Sequence, residues 1–278
     1  MKTSRITACA FVLFTFGTAN AVPIVSSASG DSPAAISSTV DAYRVSLGAV
    51  NLNTIGSFGS GRREINWDGV PDVFSAPNNL PANFFNLNSP RGVVLSTPGS
   101  GFQVSASVGN VTATAIEFGN LNASYPALFA TFSAQRLFTA LGSTVTDVNF
   151  FIPGSTIPAT VSGFGAVFTD VDLPNVSSLQ FFDQSNALLG TFFVPATVGR
   201  NEALSFVGVL FTTERISRVR ITAGNQSLSG LEVGDVVGMD DFIYAEPIPE
   251  PETSALLLVG LGIVGLAAKR ARKRDLKT

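Results

Sequence analysis

Two groups of side chains in this 278-residue chain could do chemistry. The first lies in Gly61-Arg-Arg-Glu-Ile-Asn-Trp-Asp-Gly69, where Arg62, Arg63, Glu64 and Asp68 surround Trp67, the only tryptophan. A flat apolar ring with bidentate polar groups beside it is a common way to furnish a sugar site. A structural reading competes: the tryptophan plugs one end of the domain, and Arg–Glu pairs tie strands together. The second group is Asp170, Asp172, Asp240 and Asp241. Asp170 and Asp172, at i and i+2 where a strand runs into a loop, can point the same way. Calcium takes six to eight oxygen ligands, so a structural Ca2+ shared by Asp170, Asp172 and one of Asp240 and Asp241 is a candidate. Turn capping by the same aspartates is the competing reading.

What the chain lacks narrows the chemistry further. It has no histidine and one cysteine, Cys9, which excludes Ser-His-Asp and Cys-His centres and histidine-ligated zinc. Between Val22 and Ile248 there are 9 arginines, no lysine and 17 acidic residues, a net charge of −8. Without lysine there is no P-loop and no Schiff base. So acidic a body is a poor nucleic-acid binder, though it could attract cations. A glycosidase needs only two carboxylates, and Glu64 with Glu117 or Asp68 would be the pairs to consider. A non-catalytic role is the expectation.

These residues must be held by a mostly β body. One helix is well marked. Asp31 or Ser32 can cap it, Pro33 suits its first turn, and Ile36, Val40, Tyr43 and Leu47 recur on one face before Gly48 stops the run. Asn51 to Arg91 is polar, rich in Gly, Asn and Pro, and reads as a long irregular stretch that also holds Asp72. From Val93 onward, short β runs alternate with turn residues. Candidates are Val93–Ser96, Phe102–Ser107, Ala127–Phe132, Arg136–Leu141, Val145–Ile152, Gly163–Val171, Ser178–Asp183, Leu188–Pro195, Ala203–Thr212, Ile216–Ala223 and Val236–Tyr244. Asp183-Gln-Ser-Asn186 reads as a hairpin turn. With no helix between strands, the pattern predicts an antiparallel β-sandwich of jelly-roll type, its core supplied by many of the 23 phenylalanines.

Both ends address the chain to a membrane. Lys2 and Arg5, the apolar run Ile6 to Gly17 and Ala19-Asn-Ala21 form a signal-peptide pattern with cleavage expected after Ala21. Cys9 leaves with it, so no disulfide is expected in the mature chain. At the other end, Ser254 to Ala268 carries no charge and is followed at once by Lys269, Arg270, Arg272, Lys273 and Arg274. Fifteen helical residues reach roughly 22 Å, short of the ~30 Å hydrocarbon core, but the basic cluster and snorkelling favour a membrane-spanning helix.

Pro249, Glu250 and Pro251, the apolar run and the arginine-rich tail, in that order, resemble the PEP-CTERM sorting signal, also known as an ice-binding protein C-terminal segment. That resemblance implies recognition by exosortase, a membrane-embedded cysteine transpeptidase of Gram-negative bacteria that make exopolysaccharide. Ice binding itself would call for a Thr-x-Thr ladder, and only isolated cases such as Thr112-Ala-Thr114 occur. The segments Gly61–Pro71, Gly163–Asp172, Ser205–Phe211 and Gly238–Pro247 resemble a recurring domain of secreted bacterial proteins, which implies a carbohydrate-binding-like sandwich. The expected protein is thus an exported, non-catalytic surface or exopolysaccharide-associated protein with signal peptide (1–21), β body (22–246) and sorting segment (247–278). A carbohydrate-binding module is the alternative, and a glycan-acting enzyme stands third.

Overall fold

The computed structural model describes residues 22–212, 216–228 and 234–249. The elements in chain order are β1 (Ile24–Gly30), α1 (Pro33–Leu47), β2 (Arg62–Ile65), α2 (Phe84–Leu87), β3 (Val93–Ser96), β4 (Gly101–Val104), β5 (Phe138–Leu141) and β6 (Val145–Phe150). They continue with β7 (Ala159–Thr160), β8 (Gly163–Thr169), β9 (Ser178–Phe182), β10 (Leu188–Phe193), β11 (Leu204–Leu210), β12 (Arg218–Thr222), β13 (Gly238–Ala245) and β14 (Ile248–Pro249). One sheet runs β1-β11-β8-β13-β5-β4, with β2 also paired to β13. The second runs β10-β9-β12-β6-β3, and β14 pairs β7 in a separate two-stranded ladder. All the ladders between these strands are antiparallel.

The two large sheets share one apolar core. Phe150 of the second sheet packs against Phe164 and Tyr244 of the first, and Phe181 against Phe211, the residue after β11. In the second sheet the pleat has its usual consequence: Val219 and Ile221 of β12 are buried, while Arg218, Arg220 and Thr222 point outward. On that outer face Asp147 of β6 bridges Arg218 and Arg220 across the strand pair, at 2.9 Å to each. In the first sheet the period disappears, because β8 and β13 are buried along their whole length. One face meets the other sheet and α1 covers part of the other, so β8 reads as an apolar run, while β13 carries Asp240 and Asp241 within its buried length.

Helix α1 starts at Ser32, has Pro33 in its first turn, buries Ile36, Val40, Tyr43 and Leu47, and ends at Gly48 with φ of 95°. That is the expected helix, although Ser32 makes no side-chain cap bond. Its seat is a row of glycines. Tyr43 lies over Gly163, Gly165 and Gly208, and its hydroxyl donates to the Val209 carbonyl at 3.1 Å. A Cβ on Gly165 would fall 2.9 Å from the Gly208 Cα and 2.9 Å from the Tyr43 ring. Gly165→Ala is therefore expected to cost about 1–3 kcal/mol through overpacking between helix and sheet. A urea-denaturation midpoint indistinguishable from wild type would contradict this packing.

Most of the expected strands are present within a residue or two, and Asp183–Asn186 does turn β9 into β10, with Asn186 at φ 62°. Four differences matter. Ala127–Phe132 is not a strand; a 3-10 turn at Tyr125–Ala127 leads into irregular chain, and Tyr125 and Phe129 join Phe118 and Leu137 in a small separate core. Strand β1 was not expected, because Ile-Val-Ser-Ser-Ala-Ser-Gly is only weakly β-forming; pairing along the whole of β11 makes it a strand. Strand β2 lies inside the stretch expected to be irregular. The proline-rich run Glu246–Glu252 reads in sequence as an extended, accessible linker, but Ile248 and Pro249 pair with Thr160 and Ala159, and a two-residue ladder tolerates the missing proline N–H.

The signal segment with Ala21, the residues Glu250 and Pro251 and the apolar run 254–268 lie outside the described residues. Among the described residues no helix is long and apolar enough to cross a membrane.

Candidate functional site

The four segments that carry the body's resemblance come together in one sheet. They contain β2, β8, β13 and all of β11 but its first residue, and these strands are neighbours in the order β11-β8-β13-β2. At their centre β13 departs from regular pairing. Met239 opposes Phe168 and Phe242 opposes Ala166, so Asp240 and Asp241 together face the single residue Val167. Such a two-for-one bulge re-aims side chains that would otherwise alternate. Both carboxyls consequently reach Ser133, whose Oγ lies 3.2 Å from Asp240 Oδ1 and 2.8 Å from Asp241 Oδ1.

Asp240 is fully buried and accepts from the Phe132 N–H at 2.6 Å. Burial first, and then the charge of Asp241, push its pKa well above the usual carboxylate range. Burial also raises Asp241, against the pull of Ser133 and Arg44. A carboxyl whose pKa is raised by folding costs nothing below its unfolded value, and the penalty grows as pH climbs toward the folded value. Asp240→Asn removes that ionisation, so the variant should gain stability relative to wild type as pH rises above the ordinary carboxylate value of about 4. Melting temperatures of the pair across that rise test it; a difference that does not change with pH would refute it.

The bulge opens onto a cleft of about 520 Å3 beside the last turn of α1, lined by Arg44, Arg62, Glu64, Arg91, Ser133 and Asp241 with Val50, Asn53 and Asn66. Its charges are largely paired. Arg44 reaches Asp41 at 3.1 Å, Glu64 at 3.1 Å and Asp241 at 2.9 Å. Glu64 also takes Arg62 Nε at 2.6 Å, and Arg62 donates onward to the Gly48 carbonyl. Helix α1 and strands β2 and β13 are thus tied by one ion-pair network, and the volume lies within the range of small-molecule sites (roughly 300–1,000 Å3).

The sequence-derived candidates divide around this cleft. Arg62 and Glu64 line it. Trp67 does not: it is 1% exposed, stacks on Phe138 at a centroid distance of 4.1 Å, and meets Phe85 and Phe242 edge-on. Its Nε1 donates to the Asp240 carbonyl at 2.7 Å, which serves the bulge. A ring enclosed on its faces and edges by aromatics has no face to offer a sugar. Arg63 is equally buried, on the core side of β2, and makes a two-pronged pair with Glu246. Asp68 Oδ1 caps the N–H groups of Gln135 and Arg136. Of the Trp67 group, then, only Arg62 and Glu64 keep a place in a ligand site. The other three, Arg63, Trp67 and Asp68, have their polar groups engaged within the body.

The shared Ca2+ site is not assembled either. Among the described residues no group of three or more acidic side chains is placed to hold a metal ion. Asp172 Oδ1 accepts from the Gly199 N–H at 3.1 Å in a turn. Asp240 and Asp241 are committed to Ser133, to the backbone of 132–133 and to Arg44. Short-range spacing placed Asp170 and Asp172 together, but the bulge turns the other pair toward α1. Asp41 and Ser133 carried no signal in the sequence, because their roles arise only when α1 and the 131–135 segment pack on β13. Glu117, offered above as a carboxylate partner for Glu64, does not line the cleft; burial and the nearby Glu202 raise its pKa.

Comparison with known proteins places a PEP-CTERM protein-sorting motif at residues 247–273. No curated protein matches the chain. Among solved structures, the enzymatically active domain of bacteriophage CBA120 tailspike protein 4 is similar at 12% identity and a TM-score of 0.28; the likeness covers 60% of this chain and 21% of that one.

Proposed function

From the premise that this chain carries a PEP-CTERM sorting motif, which implies an exported, sorted surface protein processed by exosortase, we propose that it is a non-catalytic component of the cell surface or of an exopolysaccharide matrix. The observation that carries the reading is the adjacency of body and signal: the matched residues begin at 247, one position after Glu246 is locked into the folded body. The body is then the cargo, and the tail, with its membrane segment at 254–268, is its address. A non-catalytic role is supported by the state of the cleft carboxylates. Both oxygens of Glu64 are taken by arginines, and Asp241 is shared between Arg44 and Ser133, which leaves neither placed as a free acid or base. Mass spectrometry of protein from the native host tests the sorting step. The expected chain begins at Val22 and lacks Leu256–Thr278; a mature chain that keeps Leu256–Thr278 in a host with exosortase overturns it.

A second reading, a carbohydrate-binding module of sandwich type, is favoured by the cleft itself, with Arg62, Glu64, Asn53 and Asn66 on its walls. It no longer involves Trp67. Glycan-array binding that is lost on filling the cleft, with no hydrolysis of the bound glycan, would support it.

A further inference from the structure

Among the described residues, one cation in the cleft has no counter-charge. Arg44 is matched by Asp41, Glu64 and Asp241, and Arg62 by Glu64. Arg91 also lines the cleft, yet among the described residues no carboxylate lies within ion-pair reach of it. Its contacts are to neutral groups: Nε donates to the Glu64 carbonyl at 2.8 Å, and one terminal nitrogen donates to Ser89 Oγ. The guanidinium lies over the Phe85 ring at 5.2 Å. The side chain is thereby held in place, with N–H groups to spare out of the five that a guanidinium carries. Burial, with Arg63 close by, disfavours its charge, but a guanidinium keeps its proton in proteins. In a body with 17 acidic residues against 9 arginines, this is not for want of carboxylates.

We propose that the cleft binds a carboxylated sugar, a uronic acid unit of an acidic glycan, with the sugar carboxylate on Arg91. This rests on the carbohydrate-binding reading and names the ligand class within it. A planar carboxylate matches the two-donor edge of a guanidinium better than a hydroxyl does. The remaining lining suits a hydroxylated ring: the amides of Asn53 and Asn66, the Ser133 hydroxyl, and Val50 as an apolar contact. An anion here would supply the counter-charge that the fold omits, while Glu64 and Asp241 stay engaged with Arg44 and Arg62.

The test is calorimetry on the full chain with an oligogalacturonide and with a neutral glucose oligomer of the same length. The uronide is expected to bind at least about tenfold more tightly, the equivalent of one charge-assisted contact. Arg91→Gln should abolish that preference, and Arg91→Lys, which keeps the charge without the fork, should retain only part of it. Since Arg91 also holds the β2 backbone, Asn53→Trp at the exposed rim provides a second variant that fills the cleft and should block binding without touching the core. Equal binding of both oligomers, insensitive to Arg91→Gln, overturns the uronate assignment and leaves the carbohydrate reading standing. Binding of neither oligomer overturns both. Competition by sulfate as strong as by free galacturonate reduces the site to a general anion site and also overturns it.

Discussion

Glu246→Ala is expected to lower the free energy of unfolding by about 3–5 kcal/mol, the cost of leaving a buried charge without its partner. Arg63 and Glu246 are 0% and 1% exposed at the side chain and meet through two bonds, Nε to Oε2 at 2.8 Å and Nη2 to Oε1 at 2.9 Å. The arginine also donates to the carbonyls of Thr54, Gly56 and Pro90, and the glutamate accepts from the Asn51 amide and the Phe58 N–H. One pair therefore ties β2, the 51–61 loop and the end of β13 together. Deleting the carboxylate leaves a guanidinium that cannot neutralise itself by losing a proton. Arg63→Met combined with Glu246→Leu should recover part of the loss, because a well-packed apolar replacement avoids the desolvation of both charges. Recovery stays incomplete, since three carbonyls lose their donor. Urea denaturation of the single and double variants measures this. A loss below about 1 kcal/mol for Glu246→Ala, typical of an exposed pair, would show that the pair is not the anchor described here. The same pair holds the chain immediately before the sorting motif, so its loss should also loosen the ladder of Ile248 and Pro249 on β7.

Trp67→Ala should cost about 3–5 kcal/mol, with two separable parts. The larger is the cavity left between Phe85, Phe138 and Phe242. The smaller is the Asp240 carbonyl, which the bulge leaves outside the ladder and which the indole N–H satisfies at 2.7 Å. Trp67→Phe keeps much of the packing and loses that donor, so it should cost about 1–3 kcal/mol, the penalty for an unsatisfied buried acceptor. Trp67 also holds φ at 63°, a conformation that non-glycine residues adopt at a cost, which the packing around the ring must offset. If Trp67→Ala folds with wild-type stability but loses glycan binding, the placement of the indole in the core is wrong and the sugar-stacking reading returns.

Much of the architecture could be read before any coordinates. The Ile36–Val40–Tyr43–Leu47 stripe, the proline before it and the glycine after it are local signals, and α1 follows them. Strands such as β9 and β12 were visible because alternation survives where one face meets solvent. Strand β2 was hidden for the opposite reason. Its inward positions are Arg63 and Ile65, and an arginine at a core position breaks the apolar pattern that marks a strand. Only its partner, 183 residues away in sequence, makes that burial tolerable.

The candidate site divides along the same line. Composition and the order of segments in one dimension settled the absence of imidazole and thiol chemistry from the body, its acidity, and the sorting tail, which residues 247–273 match. Those properties depend on which residues are present and in what order, and folding cannot change them. The tertiary structure decided which of the singled-out residues face a ligand. Trp67 and Arg63 turned inward, Arg62 and Glu64 stayed on the wall of a cleft, and Asp240 and Asp241 were swung together by a bulge toward α1. Arg91 belongs in sequence to the charged residues of the Asn51–Arg91 stretch, and nothing in the sequence sets it apart from the other arginines as uncompensated. Whether a charge is compensated depends on what packs beside it, and that is set by contacts between segments far apart in the chain.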